Sequence, residues 1–340
     1  MALLLICNMN KALIFILPLL VFSLSPALVF CQKRVITLEP VEQIDANLKQ
    51  DYAYAAFVAN SDHLVWYELY TNTLFIYSLK NKRLKKISIQ KGRGPHEILQ
   101  LTDLAVSNED IIYLLDYYNI KLIRIKPNGD YLKDVAFEEV HPFRITFKKH
   151  DLVMMDPLSQ TALFYLFKRN SEIPIELNVS PVKQGLKGFF SKEGYICFNN
   201  GFLTYVTKYY PYLYIFNLET NQLAKKIKFD ESAVIETEPR KAKNGAMIMA
   251  PPSKVDILSH DVAYIPHLKN YILLLAEGKT DNRDYSLSKL WVYNWEKEKF
   301  TDTLDLGVKA AEIAVNDKFL FVYSSDKNKI YKYKIIIKQE

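Results

Sequence analysis

The chain has 340 residues, 44 Lys and Arg against 38 Asp and Glu, a net charge of +6 and 3 cysteines. Its basic residues are scattered, and the densest group, Lys80, Lys82, Arg83, Lys85 and Lys86, surrounds a turn where lysines guard solvent-facing strand edges, so no nucleic-acid partner is expected. The 23 Tyr and 19 Phe favour strands, and only 10 Gly means that most turns must be built from Asn, Asp and Pro.

Residues 1–31 read as a targeting segment. Lys11 supplies the positive end, and Ala12 to Phe22 is an apolar run too short for a comfortable membrane span. Met9 makes a more ordinary start for such a segment than Met1. Three readings meet at its end. Lipidation of Cys31 wants a small residue before it, where the bulky Phe30 stands. Cleavage after Cys31 places Val29 and Cys31 at the two restricted positions and leaves Gln32 first. An uncleaved anchor is opposed by the small-residue tail Ser23 to Ala27. The expected compartment is the periplasm or the outer-membrane surface, with membrane attachment only through a lipid on Cys31. Cleavage past Cys31 leaves Cys197 as the single thiol, so about 309 residues must be held by packing and strand pairing alone. Cys197 lies in the apolar run Tyr195-Ile196-Cys197-Phe198 and reads as a buried small hydrophobe.

Within segment 32–51, Arg34 to Leu38 has strand composition and no partner nearby in sequence. It either joins the blade containing Lys329 to Ile337, closing a ring, or links the domain to a membrane. From Asp51 onward, short runs of Tyr, Phe, Ile, Val and Leu recur every eight to twelve residues between Asn, Asp, Lys and Gly, which is an all-β pattern. Middle turns align at Tyr70-Thr71-Asn72, Asp116 to Asn119, Asp156-Pro157-Leu158, Tyr209-Tyr210-Pro211, a segment near Asp281-Asn282, and Ser325 to Asn328. Five intervals between residues 70 and 326 give about 51 residues each, the period of a four-stranded blade. The expected fold is a six-bladed β-propeller of four-stranded antiparallel blades over 52–340. The blades fall at 52–90, 91–137, 138–182, 183–229, 254–306 and 307–338. Residues 231–254 form an insertion, either a lid or a passive excursion.

The second blade carries the sharpest signature: Lys91-Gly92-Arg93-Gly94-Pro95-His96-Glu97, then Leu104-Ala105-Val106, Ile111 to Asp116, Asn119, Lys121 to Ile125 and Asn128-Gly129-Asp130. Over these residues the chain resembles the six-bladed β-propeller family of exported proteins from anaerobic gram-negative bacteria, itself similar to NHL-repeat and TolB-like propellers. That family carries Gly-x-Gly-Pro-Gly-Glu, then Asp-x-x-Asn; here His96 replaces the last glycine. The resemblance implies an exported propeller with no assigned reaction and hands over no catalytic set.

In a four-stranded blade, the link into each inner strand and the turn between the second and third strands emerge on one face, so Gly92–Glu97 and Asp116–Asn119 should share one channel mouth. Candidate ligand contacts there are Arg93, Glu97, Tyr117, Tyr118, His141, Arg144, Tyr209 and Tyr210, since tyrosines offer apolar faces with a hydroxyl handle. Each has an architectural reading too: Glu97 can hold backbone amides, Arg93 can pair with it, and Asp116 and Asn119 can satisfy turn amides. The six histidines, His63, His96, His141, His150, His260 and His267, show no metal spacing, and Glu277, Asp281 and Asp284 read as a solvated loop, so neither metal nor cofactor is expected. Three functions stand: binding of a carbohydrate, peptide or envelope protein at the mouth by a monomer; hydrolysis or elimination on a carbohydrate or lactone, using Arg93, Glu97, His141 and Arg144; and an envelope scaffold.

Overall fold

The computed structural model describes residues 34–48, 55–169, 171, 173–179, 189–229, 240–241, 247–248, 259–265, 267–280 and 283–339. The targeting segment, Cys31 and most of the insertion lie outside them. One compact unit comprises Ile36–Ile336.

Strand β1 is Arg34–Asp45. Blade 1 follows as β2 (Ala55–Ala59), β3 (His63–Glu68), β4 (Thr73–Ser78) and β5 (Leu84–Ser88). Blade 2 is β6 (Leu101–Val106), β7 (Ile112–Asp116), β8 (Lys121–Ile125) and β9 (Tyr131–Ala136). Blade 3 is β10 (Arg144–Lys148), β11 (Asp151–Met155), β12 (Phe164–Phe167) and the short β13 (Ile175–Glu176). A single helical turn, α1 (Phe189–Lys192), leads into blade 4: β14 (Gly194–Asn199), β15 (Phe202–Thr207), β16 (Tyr212–Asn217) and β17 (Gln222–Lys228). Between blades 4 and 5, the described part of the insertion is a hairpin of β18 (Arg240–Lys241) and β19 (Met247–Ile248). Blade 5 is β20 (Ser259–Tyr264) and β21 (Tyr271–Ala276), a side hairpin of β22 (Gly278–Thr280) and β23 (Arg283–Tyr285), then β24 (Lys289–Asn294) and β25 (Lys299–Asp305). Blade 6 is β26 (Glu312–Val315), β27 (Phe319–Ser324) and β28 (Lys329–Gln339), with β1 as its outermost strand.

All six blades are antiparallel and four-stranded, and their inner strands neighbour one another in the cyclic order β2, β6, β10, β14, β20, β26 and back to β2. This is a six-bladed β-propeller. Its strands differ in pattern because they differ in surroundings. Second and third strands are packed on both faces and read as unbroken apolar runs, such as Leu64-Val65-Trp66-Tyr67 and Leu74-Phe75-Ile76. Outer strands such as β17 alternate, with lysines on the wet face.

Stability comes from six apolar clusters, one per blade interface. Val65, Tyr67 and Ile76 of blade 1 meet Leu104, Leu114 and Ile123 of blade 2, and the same arrangement recurs around the ring. Closure depends on chain ends about 280 residues apart. Asn328 accepts from the Leu48 amide at 3.3 Å and donates to the Leu48 carbonyl at 2.8 Å, while the Trp66 indole N–H donates to the Ala46 carbonyl at 2.9 Å. With glycine scarce, left-handed turn positions fall mostly to other residues: Asn47, Asn72, Asn200, Asn221 and Asn328 all have positive φ.

Candidate functional site

Blade order places the links into the inner strands and the second-to-third turns on one face, called here the lead face. The links from inner to second strands lie on the opposite face. On the lead face, Asp116 is fully buried and accepts from the amides of Leu99 (2.8 Å), Gln100 (3.2 Å) and Asn119 (3.4 Å), and from the Asn119 side chain at 2.6 Å. Asn119 also donates to the Gly92 carbonyl at 2.8 Å, so the lead and the turn are bonded to each other. Lys121 donates to the Gly94 carbonyl at 2.7 Å.

The lead itself is a folded cage. Glu97 accepts from the Gly94 amide at 2.7 Å, and a Cβ on Gly92 would collide with that carboxylate. His96 occupies the glycine position of the resembled motif at φ 59°, held by Asp134, which accepts from its amide at 2.8 Å and lies 2.9 Å from its Nδ1. Burial pushes the Asp134 carboxyl up, but His96 and Lys121 outweigh this and hold it below the ordinary carboxylate range. Arg93 is exposed and forms no ion pair with Glu97.

Three of the candidate tyrosines and phenylalanines from two further links form a continuous aromatic arc across blades 2, 3 and 4. Ring centroids run from Tyr118 to Tyr117 (5.7 Å), to Phe143 (5.7 Å), to Phe189 (5.4 Å), to Phe190 (5.3 Å) and to Tyr209 (5.8 Å). Tyr118 is 63% exposed, and the other five rings are half-buried. Burial raises the Tyr209 phenol well above its usual range, reinforced by its hydrogen bond to Glu193, whose Oε1 is 2.7 Å from Lys208 Nζ. Burial likewise raises the Tyr117 phenol, with Asp156 adding to the effect.

The remaining candidates sit elsewhere or serve other ends. Tyr210 is buried, and its carbonyl accepts from the Thr207 hydroxyl at 2.6 Å. His141 is half-buried, with its amide on Asp156 at 2.9 Å. Arg144 points into the ring, donating to the carbonyls of Thr102 (2.9 Å) and Gly194 (3.4 Å), with its guanidinium 5.3 Å from the Phe143 ring and 4.9 Å from the Tyr195 ring. It therefore stands between the aromatic arc and the channel interior.

That interior is a cavity of about 650 Å³ lined by all six inner strands and by residues of the opposite face, among them Asn60, Asn108, Lys149, Asn200 and Asp317. Asp103 and Asp261 line it from blades 2 and 5, which face each other across the ring. Each follows a bulge in its inner strand and accepts from the next blade: Ile145 N to Asp103 at 2.7 Å, and Ile313 N to Asp261 at 2.9 Å. Burial pushes the Asp103 carboxyl up to about 6, against the pull of Arg144, and the Asp261 carboxyl up to about 7, against the pull of two amides and of Arg144. No sequence signal joins these residues. Only the bulges bring the two Asp to equivalent places.

No family model matches the chain, and no curated protein sequence does. Solved structures do match it. A member of the DUF4221 family from Bacteroides vulgatus is 12% identical with a TM-score of 0.56, over 90% of this chain and 99% of that one. The β-propeller domain of Cps50 (Swd1) from Myceliophthora thermophila is 12% identical with a TM-score of 0.50, over 88% and 100%. A chain of the mitotic checkpoint complex is 9% identical with a TM-score of 0.53, over 88% and 93%. At such identities the likeness is one of fold.

Proposed function

We propose that this protein is an exported binding propeller whose lead-face mouth takes a carbohydrate on the aromatic arc. The arc carries the reading: six contiguous, partly exposed rings from three blades, with phenol hydroxyls at both ends, offer apolar faces for sugar rings and hydroxyls for their polar edges. Arg93 lies on the same face, exposed and with no ion pair among the described residues, and supplies a polar contact at the rim. Membership in the exported family rests on the blade 2 signature and on residues 1–31.

Glycan and peptide arrays probed with the mature domain test the binding. A glycan ligand should lose about tenfold in affinity in each of Tyr118→Ala and Tyr117→Ala, the scale of one aromatic contact. Equal binding by wild type and both variants, or capture of peptides alone, would remove the arc from the site. Intact-mass measurement of protein from a gram-negative host tests export separately. A chain starting at Gln32 or at a lipidated Cys31 supports it, and an uncleaved chain recovered from the cytoplasmic fraction overturns it.

A further inference from the structure

The cavity differs in chemistry from the aromatic mouth and opens on the opposite face. Its inner lining holds three carboxylates, Asp103, Asp261 and Glu312, against one guanidinium, Arg144, although the whole chain has a net charge of +6. Arg144 lies 3.8 Å from Asp103. Among the described residues Asp261 receives only backbone amides, from Val262 at 2.8 Å and Ile313 at 2.9 Å; the Arg144 charge acts on it, but forms no ion pair with it. Asp261 is half-buried on the cavity wall, and where a paired carboxylate would have its counter-charge it has open space. Phe57 and Tyr195 are part of the wall, as are Asn108 and Asn199 nearer the opening, whose side-chain amides make no hydrogen bond among the described residues. At about 650 Å³ the cavity suits a metabolite-sized molecule.

We propose that the central cavity is a second binding site, specific for a small organic cation whose ammonium group supplies the counter-charge missing beside Asp261. The aromatic wall favours the same charge, because ring faces attract cations, and the Asn108 and Asn199 amides address polar groups at the ligand's other end. Arg144 closes the lead-face side, so the ligand enters from the opposite face. An ammonium ion requires the ionised carboxylate. Asp103 and Arg144 act on Asp261 directly, burial keeps Cys197 beside it and Tyr264 neutral, and Tyr195, Glu312, Lys149 and Asp317 are the other titratable groups of the wall. With Asp261 titrating at about 7, affinity should rise about tenfold between pH 6 and pH 8.

Calorimetric titration of the mature protein with putrescine, spermidine and choline, beside the uncharged 1,4-butanediol and 3,3-dimethylbutan-1-ol, tests this at pH 8. At least one cation should bind ten times more tightly than its neutral counterpart. Asp261→Asn and, separately, Asp103→Asn should each weaken it tenfold or more while the circular dichroism spectrum stays native. Tyr118→Ala should leave it unchanged, so failure of glycan binding at the mouth and failure here are distinguishable. Absence of binding by all three cations at millimolar concentration overturns the proposal. So does equal binding of the neutral counterparts, or undiminished binding by both folded variants.

Discussion

Replacing Asp116 with alanine is expected to cost roughly 3–5 kcal/mol, lowering the melting temperature by roughly 10 °C. The carboxylate is fully buried and serves four donors, the amides of Leu99, Gln100 and Asn119 and the Asn119 side chain. Alanine leaves those donors without an acceptor in a place that water reaches poorly, which is where a missing hydrogen bond costs most. The same change loosens the 92–97 lead, because Asn119 carries the bond to the Gly92 carbonyl. Trypsin cleavage after the exposed Arg93 should therefore accelerate together with the loss of stability. Asn119→Ala, which removes the link and leaves Asp116 its two lead amides, should cost only about 1–2 kcal/mol. A melting temperature within about 2 °C of wild type for Asp116→Ala would show that other contacts hold the lead.

Asp116 also explains why one blade was so readable in the sequence and the rest were not. The end of the second strand carries a buried polar residue in five blades: Glu68, Asp116, Asp156, Thr207 and Ser324. Each ties a turn to neighbouring backbone or side chains. Asp156 accepts from the His141 amide, Thr207 donates to the Tyr210 carbonyl, and Ser324 donates to the Lys309 carbonyl. One structural task is met by four kinds of side chain in five blades, so the repeat survives as spacing and not as a motif. In blade 5 the position is Ala276, and a side hairpin over 278–285 follows it, which lengthens the link between the second and third strands there.

The two candidate sites were legible to different degrees for a related reason. Tyr117, Tyr118 and Tyr209 sit in second-to-third turns, whose face follows from blade order, and so they could be placed together on spacing alone. Phe143, Phe189 and Phe190 complete the arc from links into inner strands, where apolar residues look in sequence like ordinary core. The cavity is harder still. Asp103 and Asp261 are 158 positions apart by their numbering, in strands whose pattern is otherwise apolar, and each depends on a bulge that shifts its register by one residue. Arg144, expected at the mouth, is the first residue of β10, and carbonyls of blades 2 and 4 receive its guanidinium.

Asp261→Asn is expected to stabilise the protein more at alkaline than at acid pH, by about 2–3 kcal/mol between pH 5 and pH 8. Burial raises the folded-state carboxyl from an ordinary 3.8 to about 7. A group raised in this way favours the folded state fully below its unfolded value, and the advantage is lost as pH rises through about 7, where the folded protein must either keep a proton or bury a charge. Asparagine has no charge to bury. Its amide oxygen can still accept from one of the two amides, Val262 or Ile313, while the other loses its partner, so the absolute stability at any one pH carries an unrelated offset. The change in the difference with pH is free of that offset, and melting curves of both proteins at pH 5, 6, 7 and 8 measure it. Asp103, raised to about 6 and drawn down by Arg144, should show the same sign with a smaller amplitude in Asp103→Asn. Parallel curves for wild type and Asp261→Asn across this range would mean that Asp261 is charged throughout at no cost, and that the cavity lacks the low polarity its depth in the ring implies. A saturating cation bound beside Asp261 should flatten the wild-type curve, because it supplies the missing charge to the folded state alone.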